Sequence, residues 1–180
     1  MPAKNSYKLS RPRYIALAAV TIDGKIAKNT KHFSNWTSPE DKIFLRRMLD
    51  KSDVIIVGNN TYKTAKKPLS KRNCIVLTSS VTTPAQKNSN LAFFNPKFAN
   101  LKNFIKNQGY KTVAILGGAQ TYGYCLSQGM LDDLYLTIEP ITFGAGINLF
   151  DGARAKQKRW KLVSIKNLNR TGTLLLHYRI

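Results

Sequence analysis

Short apolar runs set the rhythm of this chain, separated by longer stretches in which apolar positions recur every three or four residues. Runs of strand length fall at 14–20, 54–57, 74–77, 91–94, 113–116 and 134–138, and most are short and rich in β-branched residues. Fully buried strands of a central sheet carry that pattern, because both of their faces are covered and polar alternation is not needed. Helical spacing occupies 39–50, 98–108 and 119–128, which gives the alternating β and α units of a mostly parallel sheet. The end of the chain differs. Residues 160–166 and 173–179 flank the turn sequence Asn169-Arg170-Thr171-Gly172, so an antiparallel hairpin at a sheet edge is expected. The polar segment 79–90 reads as a mobile surface loop, and 28–35 as another.

The sharpest local signal is Asn35-Trp36-Thr37-Ser38-Pro39-Glu40-Asp41. Ser38 suits an N-cap, Pro39 the first helical position, where its missing N–H costs nothing, and Glu40 and Asp41 the first turn, where carboxylates favour the helix dipole. Ile43, Phe44, Leu45, Met48 and Leu49 then recur at helical spacing, with Lys42, Arg46, Arg47 and Asp50 largely between them. One face packs and the other is solvated. Ser38 and Asp41 have capping-box spacing, with Asp in place of Glu or Gln. Taken alone, Asp41 is therefore either a capping carboxylate or, if the rest of the chain supplies a pocket, a buried functional acid.

A length of 180 residues with 43% hydrophobic content fits one globular domain, 1–180, with a sizeable core. Residues 1–12 are basic and polar, a flexible extension with no apolar stretch of a secretory signal. No apolar run reaches membrane-spanning length, so a soluble, cytoplasmic protein without membrane partners is expected. Cys74 and Cys125 sit in apolar segments without CxxC spacing or a nearby His, which argues for core residues and against a disulfide framework or metal site. The formal charge of +20 would attract phosphates non-specifically. Lysines and arginines are spread from Lys4 to Arg179 without a nucleic-acid motif, so the charge reads as a solvated surface that helps an anionic small molecule approach, with no specific nucleic-acid partner.

Three segments carry candidate chemistry. The strand 113–116 runs into Gly117-Gly118 and then a helix beginning Ala119-Gln120-Thr121-Tyr122. Paired glycines admit a ligand close to the backbone, and the exposed N–H groups of the following helix favour a pyrophosphate, although tight strand-to-helix turning alone would also use them. Gly58-Asn59-Asn60-Thr61 forms a second strand-Gly-helix junction. Two such junctions on one sheet could grip one dinucleotide. Third, Lys66-Lys67-Pro68-Leu69-Ser70-Lys71-Arg72 reads as a turn entering the next strand. Arg72 at its end is either a bidentate clamp for a carboxylate or part of a solvated basic turn.

The joint order of these motifs closely resembles dihydrofolate reductase, from about residue 14 to the end of the chain. It runs Asp23-Gly24-Lys25-Ile26-Ala27 after the first strand, Trp36-x-x-Pro39-x-Asp41, Gly58-x-x-Thr61, Pro68-Leu69-x-x-Arg72, Leu77-Thr78-Ser79-Ser80, Gly117-Gly118-x-x-x-Tyr122 and Leu134-Tyr135-Leu136-Thr137. The resemblance implies a single-domain α/β fold with a mostly parallel twisted sheet of about eight strands, an antiparallel C-terminal hairpin and about four flanking helices. It also implies NADPH-dependent reduction of 7,8-dihydrofolate to tetrahydrofolate, with hydride passing to pterin C6 and a proton to N5, by a monomer. On this likeness Asp41, five residues after Trp36, binds the pterin 2-amino group and N3, and Thr137 hydrogen-bonds the acid. Ala18, Ala19, Leu45 and Leu116 border the substrate, and Arg72 clamps the glutamate α-carboxylate. The cofactor side takes Ala19, Ile26, Gly58, Asn59, Asn60, Thr61, Leu77, Thr78, Ser79, Gly117, Gly118, Ala119, Gln120, Thr121 and Tyr122, with Tyr122 near the nicotinamide. Residues 23–36 would close over it.

The chain departs from that family in three places. Asn59 and Gln120 stand where basic contacts to the cofactor 2′-phosphate are frequent, with Thr78, Ser79 and Lys63 as substitutes. The loop between Ala27 and Trp36 is slightly longer than in common bacterial members. Phe143-Gly144-Ala145-Gly146-Ile147-Asn148-Leu149-Phe150 replaces the family's Gly-Asp-Thr. That segment, with Met130-Leu131-Asp132-Asp133-Leu134 and Thr21-Ile22-Asp23-Gly24-Lys25-Ile26-Ala27, is similar to the reductase domain of riboflavin biosynthesis. Such a domain reduces the ribose of a phosphorylated aminopyrimidinedione, and a dimer would then be expected. A non-catalytic nucleotide- or RNA-binding protein on the same scaffold is the third reading.

Overall fold

The computed structural model describes residues 11–32, 34–154 and 157–180, so nearly all of the basic extension lies outside the described residues. Along the chain run β1 (Arg13–Thr21), β2 (Lys25–Ala27), a 3-10 turn (Ser34–Trp36), α1 (Pro39–Asp50), β3 (Val54–Gly58), α2 (Asn59–Leu69), β4 (Cys74–Leu77), β5 (Ala85–Asn88), β6 (Leu91–Phe94) and α3 (Leu101–Asn107). Then follow β7 (Thr112–Ile115), α4 (Ala119–Ser127), β8 (Asp133–Glu139), β9 (Ile147–Asn148), β10 (Lys161–Asn167) and β11 (Leu174–Arg179). Nine strands form one sheet in the order β10-β11-β8-β1-β7-β3-β4-β6-β5, and β2 pairs with β9 in a separate ribbon. Pairing is parallel from β8 through β6 and antiparallel at both edges.

The continuous apolar strands are explained by two cores, one on each face. Ala16, Val54, Ile56, Val113 and Ile115 pack with Ile105, Tyr122 and Cys125 of α3 and α4. The alternate residues Ile15, Leu17, Ile55, Val57 and Ala114 pack with Leu49 of α1 and Tyr62 and Leu69 of α2. Successive strand side chains point to opposite faces, so a sheet covered on both sides needs no polar positions. The cysteines lie buried and unpaired in these cores, and burial pushes the thiol of Cys74 up to about 11 and that of Cys125 up to about 12.

Two segments differ from the sequence expectation. Residues 66–69, read as a turn because of Pro68, are the last turn of α2. Burial of Tyr62 and Leu69, seven residues apart on one face, holds the helix through the proline. The turn begins only at Ser70. The segment 79–90, read as a mobile loop, contains β5, whose residues are all exposed and which pairs antiparallel with β6. Backbone pairing alone makes this strand, so no hydrophobic pattern marks it. It brings the sheet to nine strands where about eight were expected.

Candidate functional site

The parallel strands β3 and β7 lie side by side and end together, with Ile56 opposite Ile115. Each passes through glycine into a helix, β3 through Gly58 into α2 and β7 through Gly117-Gly118 into α4. The two junctions touch, because the Gly58 N–H donates to the Gly117 carbonyl at 2.6 Å. A side chain would not fit here. A Cβ on Gly58 would sit 2.7 Å from Thr121 Oγ1, one on Gly118 3.2 Å from Thr61 Oγ1, and one on Gly117, at φ +99°, 2.8 Å from the Tyr122 ring. Neither helix has a side-chain cap, so the N–H groups of both first turns remain free to meet an anion. That cradle fits the pyrophosphate of a dinucleotide.

Asp41 stands across the site, in the first turn of α1. Its N–H is capped by Ser38 Oγ at 3.2 Å, as the spacing predicts, and its side chain is buried. Thr37 and Thr137 line the cavity beside it, and their hydroxyls favour its charged form. Burial raises its pKa above the ordinary carboxylate range, the nearby Glu139 charge adds to the rise, and the two hydroxyls and Lys42 oppose it. Thr137 reaches it from β8, where it lies opposite Ala19 of β1. Tyr122 is buried and donates its phenol to the Leu17 carbonyl, and burial keeps that phenol neutral by pushing its pKa far up. Glu40 points elsewhere and accepts from Asn169 Nδ2 at 3.2 Å.

The cradle and the acid face one cavity of about 910 Å³. Its walls include Ala18, Ala19, Ile26, Trp36, Asp41, Leu45, Gly58, Asn59, Asn60, Thr61, Arg72, Leu77, Thr78, Ser79, Leu116, Gly118, Ala119, Gln120, Thr121, Tyr122 and Thr137. Of the candidates drawn from the sequence, Gly117 and Lys63 are outside the walls. The closing segment is tied down by the β2–β9 ribbon. Asp23 joins it to the following loop, accepting from Phe143 N at 3.2 Å and Gly144 N at 2.9 Å, and Trp36 packs edge-on against Phe143 at 5.1 Å. Ile26, Ala27, Asn29, Thr30, His32 and Trp36 of the first segment and Ile147 of β9 together line this side of the cavity.

Two contacts depart from the sequence expectation. Arg72 lines the cavity, but its guanidinium already donates to the Asp50 carboxylate and, at 2.6 Å, to the Pro68 carbonyl, while its Nε is buried without a partner. Lys63, weighed as a cationic contact, is not in the walls, whereas Lys97 is. Lys97 follows β6, which runs parallel to β4 with Phe94 opposite Leu77. Ligands of open α/β sheets sit beyond the carboxyl ends of the strands, so residues just after β6 share an edge with Thr78 and Ser79. That rule could have found Lys97 from the strand assignments. Phe44 and Tyr135, which pack with ring centroids 5.4 Å apart, and Thr37, Lys42 and Arg46 also line the cavity and were not singled out as site residues. Among the described residues there is no cluster that could hold a metal ion and no helix long and apolar enough to cross a membrane.

The family model for dihydrofolate reductase matches residues 14–173, and the chain belongs to that family. In structure it is similar to a pyrimidine reductase-like protein from Corynebacterium diphtheriae, with a TM-score of 0.71 and 18% identity over 93% of this chain and 91% of the other. It is also similar to dihydrofolate reductase from Enterococcus faecalis complexed with NADP(H) and RAB-propyl, with a TM-score of 0.67 and 20% identity over 93% of this chain and 95% of the other. Among curated sequences it is 25% identical over 140 residues to Uncharacterized protein YwjB from Bacillus subtilis (strain 168), covering 73% of this chain and 79% of that one. Family membership makes the chain a nicotinamide-dependent reductase acting on a small molecule.

Proposed function

We propose that this member of the dihydrofolate reductase family uses NADPH to reduce a phosphorylated ribosylaminopyrimidinedione, the reaction type of the riboflavin-biosynthesis reductases. The observation that carries this reading is the state of Arg72. A folate tail would dock its α-carboxylate on that guanidinium, but Asp50 and the Pro68 carbonyl already engage its two terminal nitrogens and leave only Nε without a partner. A second carboxylate would arrive beside Asp50 against like charge. Lys42 and Arg46, by contrast, line the cavity on α1 and suit a phosphate.

The residues divide the work. Helix starts at Asn59 and Ala119 would hold the cofactor pyrophosphate, and Thr78, Ser79 and Lys97 offer two hydroxyls and an ammonium to a 2′-phosphate, which favours NADPH despite Asn59 and Gln120. The cofactor, when bound, supplies a hydride. Asp41 would accept ring N–H groups of the heterocycle and hold it in place. Each reduction also consumes a proton: hydride reaches the ribose C1′, the C1′–O bond breaks and the released oxygen takes the proton, which Asp41 can supply only from its protonated form, the form its burial favours. Ile26, Trp36, Phe44 and Leu45 exclude water from the two rings.

Dihydrofolate is the second reading, favoured by one observation. A buried acid five residues after Trp36, with Thr37 and Thr137 beside it on the cavity wall, complements the 2-amino and N3 edge of a pterin. Nicotinamide oxidation by the purified protein, with each substrate and with NADPH or NADH, separates the two. Turnover of the pyrimidine phosphate is expected, and turnover of dihydrofolate alone would overturn the leading reading.

A further inference from the structure

Glu139 is a buried carboxylate that the reaction described above does not use. It lies two residues beyond Thr137 on β8, hence on the same face of the strand, and is 4% exposed. One oxygen accepts the Ser38 N–H at 2.7 Å and the other accepts the Thr173 hydroxyl at 2.8 Å. Ser38 is the N-cap of α1, the residue whose hydroxyl caps Asp41. Thr173 closes the β10–β11 turn, where Asn169 Nδ2 donates both to Thr173 Oγ1 at 2.9 Å and to Glu40 at 3.2 Å. Glu139 therefore joins the C-terminal hairpin to the helix turn that carries the acid.

We propose that Glu139 is a positioning residue of this reductase, fixing the first turn of α1 and, with its charge, biasing the proton on Asp41. This rests on the reading of Asp41 as the acid that faces the substrate. Both partners of Glu139 are neutral donors, and among the described residues no cation pairs with it. A neutral amide would keep one acceptor, for the Ser38 N–H, and turn an NH2 donor toward Thr173, while burying a carboxylate with only neutral partners is costly. The charge is what a capping role alone would not require. Its effect falls on Asp41, whose affinity for a proton the Glu139 charge increases. The other groups facing Asp41 are Lys42 from its own helix, which opposes the effect, the hydroxyls of Thr37 and Thr137, and the neutral Tyr122 phenol from α4. On β1, Thr21 lies opposite Glu139 and gives its hydroxyl to Asp23.

Two substitutions separate charge from geometry. Glu139→Gln keeps an acceptor for Ser38 and removes the charge. In this variant the midpoint of Asp41, read from its side-chain carboxyl carbon by NMR in the ligand-free protein, should fall, with KM within about twofold of wild type. Glu139→Leu removes the acceptor as well and should raise KM for the heterocycle about tenfold, with cofactor affinity unchanged. An Asp41 midpoint that stays in place in Glu139→Gln overturns the proposal, since a merely structural Glu139 would not move it. A midpoint that moves in a protein that turns over neither heterocycle supports the coupling and overturns the functional reading instead.

Discussion

Asp41, in the first turn of α1, and Asp133, at the start of β8, are both buried carboxylates, and their surroundings send them in opposite directions. Asp133 opens β8 and meets Arg13 at 2.7 Å, His177 at 2.6 Å and Arg179 at 3.0 Å. Burial alone would raise its pKa, but hydrogen bonds from these three partners win and hold it at about 2. Asp41, beside Thr137 near the other end of the same strand, has no ion pair among the described residues, so burial wins and its pKa rises. Cationic partners lock a charge in place, whereas neutral donors leave the proton exchangeable. Asp133 ties β1, β8 and β11 together, and Asp41 is left able to do chemistry.

The largest test of this contrast is Asp41→Asn. It should lower kcat/KM for the heterocycle about 10²- to 10³-fold with cofactor binding unchanged, as steady-state kinetics and cofactor titration would show. Stability should hold or rise, because a buried charge without a cationic partner is removed. Asp133→Asn should do the reverse, costing about 2–4 kcal/mol in urea unfolding by leaving its basic partners without a carboxylate, with kcat/KM within about twofold. A large loss of activity in Asp133→Asn would collapse the distinction.

The pH dependence of stability provides a smaller effect of opposite sign at the two acids. The depressed pKa of Asp133 means that its contribution is present above the ordinary carboxylate value of 3.8 and is lost as pH falls toward about 2. Asp41 has a raised pKa, so its contribution is present below that ordinary value and is lost as pH rises through the folded one. Urea midpoints measured across acidic pH should flatten at the low end in Asp133→Asn and at the high end in Asp41→Asn. The smallest effect belongs to Asp50, whose side chain is 58% exposed where it pairs with Arg72. Asp50→Asn should change stability by less than about 0.5 kcal/mol. It should lower KM for dihydrofolate about threefold by freeing the guanidinium, and leave the pyrimidine substrate unaffected.

Much of the fold was legible because its signals are local. The α1 boundaries, the Ser38 cap and the glycine junctions follow from residues within a few positions of one another. The missed pieces lacked such signals. No apolar pattern marks β5, and the helix around Pro68 is held by burial of Tyr62 and Leu69, which propensity opposes. At the site, Lys97 becomes visible only once β6 is placed beside β4.

The sequence by itself determined most of the central strands, the starts of α1, α2 and α4, and the glycines at which an anion can approach backbone, since these depend on local sterics and spacing. Tertiary structure decided what the charged groups do. Arg72 reads as a free clamp until Asp50, 22 positions away, is found on it. Asp133 becomes a tie through Arg13, 120 positions away, and Glu139 reaches the helix of Asp41 across 101 positions. A carboxylate's charge follows from what is folded against it, and spacing along the chain does not encode those neighbours.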